Sequence, residues 1–212
     1  MTLYALGSFQ PTLHMGPDYE AVFSPGRAEF RRQDDQVETH TEIAVSTEDD
    51  IEIRRIHLIN RSGTPRSLLV TGYAEIVLAP GVNDEIHRAF SNLFVHAEPV
   101  ADHSAILLTR RPRSSEEHSP WMFCLMVPAG AEAGPCSMET DRARFIGRGR
   151  SVRRPAAMDA WGPLSGAGGP VLDPCAALRR AVDLAVDGTA GLDLILGAAP
   201  TREAAMALIS KY

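Results

Sequence analysis

Between Val37 and Val45 the chain alternates with a period of two. Val37, Thr39, Thr41, Ile43 and Val45 fall on one face, and Glu38, His40 and Glu42 on the other. Successive strand side chains point to opposite faces, so this run predicts a half-buried antiparallel strand. Thr47-Glu48-Asp49-Asp50 makes a turn, and residues 51–60 return. In the return strand the apolar parity shifts from Ile51 and Ile53 to Ile56 and Leu58, which predicts a β-bulge. Asn60-Arg61-Ser62-Gly63-Thr64-Pro65 is another turn. Residues 68–78 are apolar on both faces apart from Thr71 and Glu75, the signature of a central strand covered on both sides. Residues 121–127 have the same character. Leu178, Arg180, Val182, Leu184 and Val186 alternate again, and Asp187-Gly188 turns the chain into Leu192, Leu194 and Leu196. Only the C-terminus reads as helix. Thr201 is an N-cap, Glu203 lies in the first turn, and Ala205, Leu208, Ile209 and Tyr212 form one stripe. Eight or more short strands separated by turns predict an all-β fold of antiparallel sheets with a short C-terminal helix. The Gly- and Pro-rich residues 163–174 are a loop within that fold, because strand patterns resume after them.

Composition narrows the function classes. The 212 residues suffice for one well-buried domain or two small ones. With 44% hydrophobic and 23% charged residues, the chain has the make-up of an ordinary globule. A net charge of −6 argues against a general grip on nucleic acid. Lys211 is the only lysine, so arginine carries nearly all the positive charge, a bias that base composition of the gene explains without any site. The three cysteines, Cys124, Cys136 and Cys175, have no metal-like spacing. Cys124 sits in an apolar run and reads as a small core hydrophobe. An odd count with no secretory leader fits a reducing, cytoplasmic compartment. No stretch approaches the roughly 20 apolar residues that a spanning helix needs.

Residues 139–150, Glu-Thr-Asp-Arg-Ala-Arg-Phe-Ile-Gly-Arg-Gly-Arg, concentrate the chemistry. Arg142, Arg144, Arg148, Arg150, Arg153 and Arg154 crowd a short segment. The planar guanidinium fork suits carboxylate, phosphate or vicinal hydroxyls. The segment therefore predicts either a sugar or phosphate contact or an ion-paired docking loop with Glu139 and Asp141 as local partners. Glu75 interrupts an apolar strand, which makes it the best single carboxylate, either functional or satisfied by one of the arginines. No second carboxylate pairs with it credibly, as a glycosidase would need. Trp161, in a polar, Gly-flanked setting, is the better platform for a pyranose face, whereas Trp121 begins an apolar strand and reads as core. His87, His96, His103 and His118 lack a metal-binding spacing, so neither metal nor cofactor is expected.

The motifs also resemble a known family. Residues 139–150, then Leu164-Ser165-Gly166 and Leu172-Asp173-Pro174, are similar to the N-terminal β-sandwich of the cellobiose and chitobiose phosphorylases, and especially to the matching region of the cyclic β-1,2-glucan synthases. The entry hairpin Phe23-Ser24-Pro25-Gly26-Arg27-Ala28-Glu29-Phe30 fits that pattern, as do Glu38-Thr39-His40-Thr41-Glu42-Ile43 and Glu48-Asp49-Asp50. So do Tyr73-Ala74-Glu75-Ile76-Val77-Leu78-Ala79-Pro80 and Ala89-Phe90-Ser91-Asn92-Leu93-Phe94, in the same order. The resemblance runs from about residue 10 to the C-terminus.

It implies a galactose mutarotase-like supersandwich over residues 1–200, with residues 201–212 starting a linker helix. It also implies a carbohydrate-binding or accessory role beside a catalytic (α/α) barrel, at the cytoplasmic face of a membrane in the parent protein. The reaction's general acid belongs to that barrel, so no residue here inherits it and the isolated chain is expected not to be an enzyme. Arg142, Arg148, Arg150, Trp161 and Glu75 are the expected carbohydrate-contacting residues, with a glucan oligosaccharide as weak ligand. Strands upstream of Phe9-Gln10-Pro11-Thr12 are absent from the pattern. An unpaired sheet edge and the C-terminal stripe together predict a homodimer. Two other classes stay open. One is an aldose mutarotase-like enzyme using His40 with His57, or His96 with Glu75. The other is a purely structural assembly module.

Overall fold

The computed structural model describes residues 19–79, 81–112, 114, 117–130 and 133–212. The segment 9–12 and Pro80 lie outside the described residues. Among the described residues the alternating segments form twelve strands in two antiparallel sheets. The larger sheet runs β1 (Tyr19–Ser24), β2 (Arg27–Asp34), β3 (Val37–Val45), β4 (Ile51–Asn60), β12 (Thr189–Ala199), β8 (Trp121–Pro128), β7 (Ala105–Arg110), β6 (Val95–Val100) and β10 (Gly169–Pro170). The smaller sheet runs β5 (Arg66–Glu75), β11 (Pro174–Leu184) and β9 (Ser137–Asp141). Among the described residues three short α-helices accompany them: α1 (Gly81–Asn92), α2 (Arg142–Ile146) and α3 (Arg202–Lys211). This is the all-β antiparallel fold with a C-terminal helix that the strand pattern predicts, and the two sheets have the supersandwich form that the resemblance implies.

Local chemistry sets the hairpins. Pro25-Gly26 links β1 to β2, with Gly26 at a φ of 76°, which suits proline followed by glycine in a tight turn. Asp35 and Gln36, between β2 and β3, both sit at positive φ, 44° and 64°. That backbone gives a two-residue loop the twist of its flanking strands.

The middle of the larger sheet is buried on both faces. On one face Leu58, Met126, Leu192 and Leu194 pack with Leu178, Val182 and Leu184 of the smaller sheet. On the other, Ile51, Leu107, Phe123, Leu125 and Ile195 pack under Ala205 and Ile209 of α3. This double burial accounts for the parity shift in β4. Ile56 and Leu58 join the core between the sheets, whereas Ile51 and Ile53 join the α3 core. The register of β4 with β3 and β12 is continuous, so the expected bulge is not there. Arg180 ties the two sheets together: its buried guanidinium donates to Met126 O at 3.0 Å, Gly134 O at 2.7 Å and Ser104 Oγ at 2.6 Å.

Three further expectations are corrected. β5 is an edge strand of the smaller sheet, with β11 central. It is nevertheless covered on both sides, since Leu68 and Val70 reach the inter-sheet core while Tyr73 stacks on Phe145 of α2, rings 4.7 Å apart. The C-terminus is not the only helix: α1 and α2 are two more, α1 with a non-helical break at His87. Finally, the α3 stripe is not left open for a second copy. Ala205 and Ile209 are buried on their own sheet, and Tyr212 donates to Asp49 Oδ2 at 2.8 Å. Thr201 caps α3 as expected, accepting from Ala204 N at 3.1 Å.

Candidate functional site

The arginine-rich segment folds over the outer face of the smaller sheet. Asp141 ends β9 and caps α2, its Oδ1 accepting from Ala143 N at 2.9 Å and Arg144 N at 3.3 Å. The cap places Arg142 against the ends of β5 and β11. Its Nε donates to Glu75 Oε1 at 2.9 Å, its Nη1 reaches Asp173 Oδ2 at 3.2 Å, and its backbone N–H donates to Asp173 O at 2.9 Å. Arg88 of α1 donates to the other oxygen of Glu75 at 2.6 Å, and Asn92, one turn on, donates to Asp173 Oδ1 at 2.9 Å. The Tyr73 hydroxyl donates to Glu75 at 3.3 Å. One network thus fastens α1, β5, α2 and the turn before β11.

Burial works to raise the pKa of Glu75, but hydrogen bonds from Arg88 and Arg142 outweigh it and hold the carboxyl below its ordinary range. Burial pushes the Tyr73 phenol up, with Glu75 adding to the shift. Near neutral pH Glu75 is thus an ion-paired carboxylate and Tyr73 a neutral phenol that donates to it.

A second arginine holds the loop beyond α2. Gly147, at a φ of 83°, passes so close to Ala156 that a Cβ would lie 2.6 Å from its methyl, so only glycine fits. Arg179 on β11 is buried and donates to Thr71 Oγ1 at 2.8 Å, Ala157 O at 2.8 Å and Gly162 O at 3.1 Å. These bonds pin both sides of Trp161, whose side chain is left 58% exposed. Arg150 pairs with Asp159 at 2.5 Å. Arg148 is exposed and has no ion-pair partner among the described residues.

The five expected contact residues therefore divide. Glu75 and Arg142 bind each other, Arg150 is paired within the loop, and Arg148 and Trp161 face solvent. Glu139, expected to partner arginines, instead accepts from Asp141 N at 2.9 Å and from the Ser165 hydroxyl. Asp141 does meet one arginine, Arg144, at 3.6 Å. Arg88, Asn92, Asp173 and Arg179 were missed. Arg88 and Asn92 stand four apart, one helical face, which becomes legible once α1 is recognised.

Two open clefts lie elsewhere. His96, Thr109 and Trp121 are neighbours in register across β6, β7 and β8, and line a cleft of about 540 Å³ with His118. Trp121 is half-buried, with partial packing in the α3 core. His40 and His57 face each other across β3 and β4, ring centroids 6.1 Å apart, beside a cleft of about 410 Å³. His96 and Glu75 sit on different sheets.

The sequence family described as the glycosyl hydrolase 94 supersandwich domain matches residues 6–212. The chain belongs to this family. It is 34% identical over 190 residues to the cyclic beta-(1,2)-glucan synthase NdvB of Rhizobium meliloti (strain 1021). That match covers 90% of this chain and 7% of NdvB, so the supersandwich spans a small part of its relative's length. Among solved structures, a putative kojibiose phosphorylase from the human microbiome has a TM-score of 0.47 at 7% identity, covering 87% of this chain and 20% of that one. Heparinase III gives 0.47 at 7% identity, covering 88% and 22%. No helix among the described residues is long and apolar enough to cross a membrane.

Proposed function

We propose that this supersandwich is a non-catalytic accessory module of a glucan-handling protein, bracing a catalytic (α/α) domain and contacting the glucan weakly. The observation that carries the reading is a group of exposed apolar side chains along and just past α1, Val82 and Ile86 before the break at His87 and Phe90 and Leu93 after it, each more than half exposed. Exposed apolar clusters of this kind mark interaction surfaces. The part beyond His87 is held in place by Arg88 and Asn92 through Glu75 and Asp173, and Leu172 beside Asp173 is 79% exposed. An exposed apolar surface anchored on one side of the break suits a permanent neighbouring domain.

The glucan contact falls to Trp161 and Arg148 on the pinned loop, with Glu75, Arg142 and Arg150 as its framework. The name of the relative NdvB supports a β-1,2-glucan, and in such a parent the module works at the cytoplasmic face of the membrane. In this reading the sandwich body, described from residue 19, is assigned to residues 1–200, and residues 201–212 begin the linker toward a neighbouring domain. β1, exposed along its length and paired on one side only among the described residues, is an edge that two copies can share as a homodimer. Sedimentation that shows one concentration-independent monomer rules that dimer out.

Titration with β-1,2-glucan oligosaccharides, followed by tryptophan fluorescence, tests the glucan contact. The expected dissociation constant is about 0.1–1 mM, equivalent to roughly −5.5 to −4 kcal/mol. Trp161→Ala should abolish the response and Trp121→Phe should leave it intact. No response from folded protein at tens of millimolar oligosaccharide, on the order of ten times that range, leaves bracing as the module's whole role.

A further inference from the structure

Strand register on the outer face of β2 and β3 gathers three ligand-type side chains. Glu29 stands directly opposite Glu42, and His40 lies one pleat along, opposite Arg31. One ligand atom from each falls within 4.8 Å of the other two. His40 Nε2 is 3.1 Å from Glu29 Oε2, and the Glu29 side chain is only 11% exposed. The cleft beside them is lined by Arg31, Glu38, His40, His57, Ile59 and Thr189.

Like charges directly opposite on a sheet repel. In this structure Arg27 offsets the repulsion, its guanidinium 2.6 Å from Glu29 and 3.3 Å from Glu42. Arg31 adds a weaker contact at 3.6 Å. Arg27 is half-exposed and rests on a long flexible side chain, so it can swing into water. A divalent ion carries twice the charge in a smaller volume. One imidazole and two carboxylates are a donor set for zinc or manganese rather than magnesium or calcium, which prefer oxygen alone. Bonds of about 2.0–2.2 Å around a tetrahedral ion put neighbouring ligand atoms about 3.3–3.6 Å apart, so rotamer changes of about an ångström close the set.

We propose that Glu29, His40 and Glu42 form a zinc-type divalent-metal site that exchanges with the Arg27 guanidinium, with an open coordination position on the cleft where His57 stands. The site is independent of glucan contact and of domain bracing.

The test is a titration of the intact 212-residue chain with Zn²⁺ by calorimetry and with Co²⁺ by visible absorption. Cobalt separates a nitrogen–oxygen site from the three cysteines, because thiolate ligands add a strong near-ultraviolet charge-transfer band. The expected result is one saturable site without that band. His40→Ala and Glu29→Gln should each weaken it at least about tenfold, the scale on which even outer-shell changes act. Arg27→Gln should tighten it by removing the competing cation, and this half-exposed change should leave the circular dichroism unaltered. The proposal is overturned by absence of saturable binding in both the native chain and Arg27→Gln. It is overturned equally by a thiolate band, or by binding that His40→Ala and Glu29→Gln leave untouched in folded protein.

Discussion

Glu75 shows how one residue can be legible while its setting is not. A carboxylate interrupting an apolar strand announces a special position, and arginine as its partner follows from burial. Arg142 was visible in the same way, as part of a dense basic motif. Arg88, Asn92 and Asp173 were not, because the chain folds them in from a helix and a turn that no local pattern ties to β5. The same holds for Glu29, His40 and Glu42. Their sequence spacing matches no metal motif, and only the β2–β3 register brings them together. A pH-dependent contribution follows from the lowered pKa of Glu75. A carboxyl whose folded pKa lies below its unfolded value of about 4.3 stabilises the fold above that pH and loses the effect as pH falls through the folded value. Glu75→Gln should therefore cost about 1–2 kcal/mol at pH 7, the low end for charged hydrogen bonds because the pairs are partly solvated. The gap between native and variant should narrow below about pH 4. Urea unfolding across that range measures it, and a gap that stays constant with pH would remove the ion pairs from the account. Asp49, held by Lys211 and Tyr212, and Glu98, held by Arg202, are lowered too and add to the same acid limb.

At the scale of elements, strands are more legible in this sequence than helices. Period-two alternation survives into the fold in β11 because Leu178, Val182 and Leu184 share the face on the inter-sheet core, and in β3 because Val37, Thr39 and Ile43 share one buried face. The β4 parity shift was real, but its cause was a second core and not a bulge. A sequence pattern records that side chains are buried, not which neighbour buries them. In and just after α1 the apolar residues 82, 86, 90 and 93 are present in the sequence, yet they face outward on either side of the break at His87, so they belong to no core that a strand-dominated reading expects. α3 was legible from its cap and stripe, though not what it covers. Because Ile209 is buried in that second core, Ile209→Ala should cost about 2–4 kcal/mol, while Thr201→Ala should cost about 1 kcal/mol. Denaturant midpoints at an unchanged slope would establish both. Equal small losses would mean that α3 frays from the sheet and contributes little.

At the scale of the whole molecule, the supersandwich has two unlike exposed surfaces. The outer face of the smaller sheet ends in the α1 apolar group and the pinned Trp161 loop, both anchored by arginines. The outer face of β2, β3 and β4 is a lattice of cross-strand charges around His40 and His57. The first surface has the rigidity and apolar character of a joint between domains, which is the core of the accessory-module reading. Hydrogen–deuterium exchange tests it most directly, run on this chain alone and on the same segment inside a longer protein that carries the catalytic domain. The account predicts that amides of residues 82–93 exchange markedly more slowly in the longer protein, while those of β3 and β4 exchange alike in both. Equal exchange of residues 82–93 in the two forms would contradict it, because the apolar group would then be open to water even where its neighbour is present.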